Sequence, residues 1–333
     1  MNQLARVAVI FTGGTIDSVG KDRLDLAWYI EAGKRLGDGE LLQQVPELES
    51  IARVQEMPFR RLPSHALAAA DWLDLIRTIH SVFDQDRADG VVVTHGTNTI
   101  EETAYFATLT LKTDKPVVFV GSMRPSSALS ADGYLNLLNA IRVAADPASR
   151  GRGALLVMND TIYSARDVTK TATYRVEAFK GRDLGPLGYA DADGKVLYYH
   201  RPARKHTLET EFDIRDAKTL PRVDVVLSYV GADATMVDAV VAAGAKGIVS
   251  AGTGAGRPTP AEDEGFTRAH EKGVVICQSS RVGSGRVVRS PSLVRRGFVA
   301  ADNLQPWKAR ALLALALTVS RDPAEIQRMF DTY

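Results

Sequence analysis

The sequence has a single cysteine, Cys277, in 333 residues. That excludes an internal disulfide framework and a cysteine-built zinc site. It also lacks an excess of either charge: 41 Lys and Arg against 40 Asp and Glu leave a net charge of +1. So balanced a chain has no basic field to draw nucleic acid or an acidic membrane surface. No apolar run approaches the ~20 residues needed to cross a bilayer. The first such run, Val7 to Phe11, leads straight into a glycine turn. That leaves no room for a signal peptide, and the sequence predicts a cytoplasmic protein. Neither a GxGxxG fingerprint nor a GK[ST] phosphate loop is present, which excludes a dinucleotide or P-loop site. His200, His206 and His270 are too scattered to predict a metal centre.

What is present is a chain that is 45% hydrophobic, long enough for two domains at ~100–200 residues each. Short β-rich runs alternate with longer amphipathic stretches, the pattern of a mostly parallel sheet flanked by helices. Strands are predicted over Arg6–Phe11, Gly90–Thr94, Lys115–Gly121 and Gly153–Met158. A helix is predicted over Ala66–Phe83, where Trp72, Leu75, Ile76, Ile79 and Phe83 recur at helical spacing. Another opens with Glu101 and Glu102 in its first turn, where carboxylates complement the helix dipole. His80 reads as structural and Cys277 as an inert core thiol. The texture changes between Lys195 and Arg222, which predicts an N-terminal α/β domain over 1–195, a connector over 196–221 and a C-terminal α/β domain over 222–333. The last of these ends in a helix over Lys308–Ser320.

Open parallel sheets bind ligands beyond the carboxyl ends of their strands, where strand order reverses. The two most unusual strand ends are Thr12-Gly-Gly-Thr15 and Thr94-His-Gly-Thr-Asn-Thr99. Each sets a threonine beside glycines that let the backbone approach a ligand closely. Either loop alone reads equally well as a turn closed by a hydroxyl residue. Two threonines with a lysine suggest a hydroxyl nucleophile and its activating base. Lys170 follows a strand end and, if desolvated, would have its pKa lowered into the range of a useful base.

Taken together, Thr12-Gly-Gly-Thr-Ile16, Thr94-His-Gly-Thr97, Glu101-Glu-Thr-Ala-Tyr105, Gly121-Ser-Met-Arg-Pro125, Ser130-Ala-Asp-Gly133, Val157-Met-Asn-Asp160 and Arg166-Asp-Val-Thr-Lys170 resemble the bacterial-type L-asparaginase family. So do Gly185-Pro-Leu-Gly188, Pro202-Ala-Arg-Lys-His-Thr207 and Ile248-Val-Ser-Ala-Gly252. The match runs in one order along nearly the whole chain. The resemblance implies hydrolysis of L-asparagine to L-aspartate and ammonia, often with some L-glutamine activity. It implies a larger N-terminal and a smaller C-terminal α/β domain, no cofactor, and a homotetramer built from dimers. By the same resemblance Thr15 is the nucleophile, Thr97 and Lys170 assist proton transfer, Tyr29 sits on a loop that closes over the substrate, and Ser64 helps to bind the substrate α-carboxylate. Gly20 and Gly33 are candidate hinges for that loop, and main-chain N–H groups nearby would stabilise the oxyanion.

The chain departs from the family pattern in three places. Asn98 stands where the family has the aspartate that binds the substrate α-ammonium. Losing that charge costs about 10- to 150-fold at ~1.5–3 kcal/mol per charged hydrogen bond. It also favours a neutral Lys170. A weaker asparaginase, an enzyme for a substrate with a different α-substituent and an introduced near-isosteric replacement all fit Asn98. A non-turnover amino-acid-binding protein is a further reading of the chain. His65 follows Ser64 where better-known members have glutamine, a bulkier side chain at the substrate end. Finally, Pro291-Ser-Leu-Val-Arg-Arg296 lies where the family carries a glutamate that reaches a neighbouring subunit's site.

Overall fold

The computed structural model describes residues 3–37 and 39–333, which divide into two compact units, one up to Glu209 and one from Thr210 onward. The break falls inside the 196–221 stretch. The first unit opens with β1 (Arg6–Phe11) and passes through short helices α1 (Tyr29–Ala32) and α2 (Glu40–Gln43) to β2 (Arg53–Met57). Helix and strand then alternate: α3 (Ala69–Asp84), β3 (Gly90–Thr94), α4 (Ile100–Thr110), β4 (Val117–Val120), α5 (Gly133–Ala145) and β5 (Ala154–Met158). Short strands complete it: β6 (Thr161–Ser164), β7 (Val168–Lys170), β8 (Phe179–Gly181), β9 (Gly188–Ala190) and β10 (Val196–Tyr198).

Eight of these strands form one sheet, in the order β10-β9-β6-β5-β4-β3-β1-β2. The pairs from β5 to β2 are parallel, as the alternating pattern predicts, while β6, β9 and β10 add on antiparallel. Strands β3, β4 and β5 are buried along their whole length and β1 almost so. This is why each reads as an unbroken Val, Ile and Leu run: helices cover both faces of a parallel sheet. The antiparallel end was not legible, because strands of three or four residues carry too little pattern. β7 and β8 pair only with each other.

Strand order decides where the open ends meet. From β1 the chain moves to β2 on one side, then returns to β3 on the other side and continues outward through β4 and β5. The direction reverses between β1 and β3, which makes their carboxyl ends the switch point of the sheet. Phe11 pairs with Thr94 at the last register position, so the two strands end level.

The second unit is a four-stranded parallel sheet, β11 (Val223–Leu227), β12 (Gly247–Gly252), β13 (Val275–Ser280) and β14 (Val299–Ala300), in sequence order. Its helices are α6 (Thr235–Ala242), α7 (Pro260–Glu271), α8 (Pro291–Arg295), α9 (Pro306–Val319) and α10 (Pro323–Thr332). The helix predicted over Lys308–Ser320 begins two residues earlier, on Pro306 at the position that needs no N–H donor. It is not the last helix. After Ser320 the chain restarts as α10, where the Asp322 side chain accepts from the Ala324 N–H and Pro323 leads in. Cys277 is wholly buried in β13, and burial pushes its thiol pKa up. Among the described residues no helix is long and apolar enough to cross a membrane.

Gly90 shows how tightly α5 lies on the first sheet. A Cβ added there would sit 2.2 Å from the Ala144 carbonyl oxygen, a main-chain atom that no rotamer change can move. Gly90→Ala should therefore lower stability by about 1–3 kcal/mol, the usual cost of overpacking. A thermal melt of the variant beside the parent checks it, and an unchanged midpoint would contradict the packing described.

Candidate active site

Two loops leave the sheet side by side at the switch point. Thr12 donates to the Thr94 carbonyl through both its main-chain N–H (3.1 Å) and its hydroxyl (2.8 Å). The His95 N–H bonds to the Val120 carbonyl at 2.8 Å. The loops then touch through glycines. A Cβ on Gly14 would lie 2.7 Å from both the Cα and the N of Gly96, and Gly14 has φ +121°, where side chains are rarely tolerated. Gly96 in turn packs on Ser64, whose Oγ would be 2.5 Å from an added Cβ. The Thr99 hydroxyl donates to the Ser64 carbonyl at 2.8 Å. Thr15, Ser64 and Thr97 thus belong to one small cluster, each next to a main-chain contact that fixes it.

The structure pairs the two threonines with different partners. The Thr15 Oγ1 is 2.9 Å from the Tyr29 hydroxyl, and either oxygen can donate. The Lys170 Nζ donates to the Thr97 Oγ1 at 2.8 Å. Burial pushes the Tyr29 phenol pKa up, against the Thr15 hydrogen bond that holds it down. Burial pulls the Lys170 amine pKa down, opposed by the charge of Glu101. Both groups are therefore biased toward their neutral forms. The Asn98 and His65 side chains are exposed.

Tyr29 reaches Thr15 from the segment 19–34, which is closed at its foot. Ser18 and Arg35 form an antiparallel bridge, the Val19 N–H donates to the Lys34 carbonyl, and the Leu36 N–H donates to the Asp17 carbonyl. The segment also rests on the loop after β4, where the Gly20 N–H donates to the Ser127 hydroxyl and the Leu129 N–H to the Arg23 carbonyl. Tyr29 is 7% exposed while its neighbours Trp28 and Ile30 are 70% and 63% exposed, so of the three only Tyr29 points inward. Gly33 caps α1 in the left-handed region at φ +62°. Gly20 has its φ in the ordinary range.

Three acidic residues near the site have structural work that their place in the sequence did not reveal. Asp17 is 2% exposed and pairs with Arg35 at 3.2 Å, tying the foot of the Tyr29 segment to the turn that carries Thr15. Its hallmark in the sequence is only a carboxylate two residues after a threonine, too weak a signal to read. Asp132, within the Ser130–Gly133 motif, accepts from the Met123 and Arg124 N–H groups and so shapes the loop after β4. Glu101, expected on a helix face, is 6% exposed and accepts from the Lys170 main-chain N–H. Among the described residues no group of three or more His, Cys, Asp or Glu is placed to hold a metal ion.

His95, the first residue after β3, has no exposure. Its Nδ1 is 2.8 Å from the Gly96 carbonyl, which fixes it as the N–H donor, and its Nε2 has no hydrogen-bond partner. Burial outweighs that bond and pushes the ring pKa down to about 4. His95 is therefore a neutral packing residue of the Thr97 loop, edge-on to Phe119.

The chain matches the family described as Asparaginase, N-terminal over residues 6–204, and the Glutaminase/Asparaginase C-terminal domain over 222–330. It is 44% identical to L-asparaginase 2 of Escherichia coli across 99% of this chain and 94% of that one. It is 42% identical to the glutaminase-asparaginase of Pseudomonas fluorescens, across 99% of this chain and 91% of that one. A crystal structure from Campylobacter jejuni, described as "Probable Cytoplasmic L-asparaginase", superposes with a TM-score of 0.92 at 39% identity, covering 99% of this chain and all of that one.

A histidine held neutral by burial makes stability depend on pH in a set direction. Between about 4 and its ordinary 6.5 the unfolded chain binds a proton at His95 that the folded chain refuses. Stability is thus complete above 6.5 and falls as pH drops toward 4, by about 3 kcal/mol. His95→Gln, which can still donate to the Gly96 carbonyl but does not titrate, should flatten that part of the curve. Melting curves of both proteins from pH 7 to 4 test this, and parallel losses would show that His95 does not titrate as described.

Proposed function

Because the chain belongs to the asparaginase family, we propose that it hydrolyses L-asparagine to L-aspartate and ammonia through an acyl-enzyme on Thr15. The observation that carries this reading is the pair of hydroxyl contacts, Thr15 with Tyr29 at 2.9 Å and Thr97 with Lys170 at 2.8 Å, on loops that meet at the sheet's switch point. The Thr15 Oγ1 attacks the carboxamide carbon, and its proton passes through the Tyr29 hydroxyl. Tyr29 acts as a relay and not as a standing phenolate, since burial raises its pKa. The C–N bond breaks as the departing nitrogen takes up the proton, and ammonia leaves. Water then attacks the ester; Lys170, in its neutral form, withdraws a proton through Thr97. Cleavage of the ester C–O bond releases aspartate, and the proton held by Lys170 passes back to the departing Thr15 oxygen, restoring both the hydroxyl and the neutral amine. Main-chain N–H groups of the two glycine loops stabilise the oxyanion in both halves.

Ser64, His65 and Asn98 form the substrate end. Ser64 binds the α-carboxylate, and Asn98 offers the α-ammonium an uncharged acceptor oxygen. L-Glutamine is the second substrate, a reading favoured by the relative from Pseudomonas fluorescens named glutaminase-asparaginase. The chain needs no cofactor in this scheme. A homotetramer built from dimers follows from the family resemblance alone. A cytoplasmic location is in line with the name of the Campylobacter jejuni protein, whereas a Haemophilus influenzae relative is named periplasmic.

Ammonia release from L-asparagine and L-glutamine by the purified chain, beside Thr15→Ala, tests the proposal. Release should be abolished by Thr15→Ala and raised about 10- to 150-fold on L-asparagine by Asn98→Asp, as restoring a charged hydrogen bond requires. His65→Gln should change the ratio of the two substrates. If neither the parent nor Asn98→Asp releases ammonia while amino acids still raise the melting point, the chain is a binding protein and the proposal fails.

A further inference from the structure

The turn that carries Thr97 runs into a buried acid. Glu101 is the second residue of α4 and is 6% exposed. Carboxylates in a first helical turn usually lie in water, where they complement the dipole at little cost. Glu101 reaches β7 instead, and its Oε2 accepts the Lys170 main-chain N–H at 3.3 Å. An ionised carboxylate so deeply placed costs several kcal/mol unless an opposite charge answers it. The charge it acts on here is that of Lys170.

Lys170 is thus held at both ends by one stretch of chain: its amine by Thr97 and its main chain by Glu101. We propose that Glu101 is a positioning residue for the reaction, fixing the Lys170 main chain so that the amine reaches Thr97 and setting with its carboxylate how readily that amine holds a proton. This rests on the assignment of Lys170 and Thr97 made above. The other charged groups nearby are engaged elsewhere. Asp167 accepts from the Asp183 and Leu184 N–H groups, Arg166 acts on Tyr105, and Lys180 of β8 pairs with Glu177. Across α4, Arg77 of α3 pairs with Asp74, and Glu102 follows Glu101 on α4 itself. Of all these groups only Glu101 acts on the charge of Lys170, where it opposes the effect of burial. Position 98 is an uncharged asparagine, so it brings no negative charge to the amine, whereas Glu101 acts on it.

The test is a pH profile of kcat for ammonia release, measured for the parent, Glu101→Gln, Glu101→Asp and Lys170→Met. Glu101→Gln keeps the size and an acceptor oxygen but removes the charge. The acid limb of its profile should move down by about one pH unit, a roughly tenfold gain in neutral amine below both midpoints. The Lys170 amine followed by NMR should titrate with the same shift, independently of turnover. Glu101→Asp keeps the charge and draws it back from the Lys170 N–H. Its acid limb should stay near the parent's while kcat falls about tenfold at nearly unchanged KM, the mark of lost alignment. An unmoved acid limb and an unmoved NMR titration in folded Glu101→Gln would overturn the inference. Should that variant not fold, kcat and KM of Glu101→Asp equal to the parent's would overturn it as well. Full activity in Lys170→Met would be a different failure, since it removes the role of Lys170 itself and the inference with it.

Discussion

The site depends on the close approach of two loops at Gly14 and Gly96. Because β1 and β3 are neighbours that end level, Phe11 against Thr94, their outgoing loops must share the same space. Only residues without a Cβ allow it: at Gly14 an added carbon would meet the Gly96 main chain at 2.7 Å. With the backbones in contact, Thr15 and Thr97 follow one residue later on each side. The placing of Thr15 beside Thr97 is thus set by the packed sheet and not by the loops' own preferences.

Around that contact the structure keeps charge scarce. His95 is buried and neutral, Tyr29 is held as the phenol, and Lys170 is drawn toward the free amine. Desolvation is the largest influence on all three, and it favours the uncharged form of each. In such surroundings a hydrogen bond is stronger than in water, and a stray charge is costly. The acidic side chains close by are tied to structural tasks. Asp17 with Arg35 closes the foot of the Tyr29 segment, and Glu101 grips the strand that carries Lys170. These ties let a poor nucleophile, a threonine hydroxyl, meet its partners in fixed positions.

Much of this was legible in the residues, though unevenly. The central strands announced themselves as unbroken apolar runs because both of their faces are covered. The two glycine loops stood out because threonines directly after strand-ending glycines are an uncommon arrangement. The antiparallel end of the first sheet was not legible, since strands of three or four residues have no period to detect; helix α10 was missed although its ten residues start at a capping Asp322 and Pro323. Asp17 and Glu101 were illegible as site residues for another reason. Each is an ordinary carboxylate in its local setting and becomes part of the site only through partners 18 and 69 positions away.

The sequence by itself determined the class of fold, the family and the residue types available for catalysis, because burial pattern and motif spacing are written locally along the chain. Only the tertiary structure decided which groups meet. The pairing of Thr15 with Tyr29 depends on how segment 19–34 is closed at its foot. The pairing of Thr97 with Lys170 spans 73 positions and depends on β7 lying against the start of α4. The depth at which Lys170 and His95 lie, and hence their charge, is likewise a property of the packed molecule, since desolvation comes from neighbours that no stretch of sequence contains.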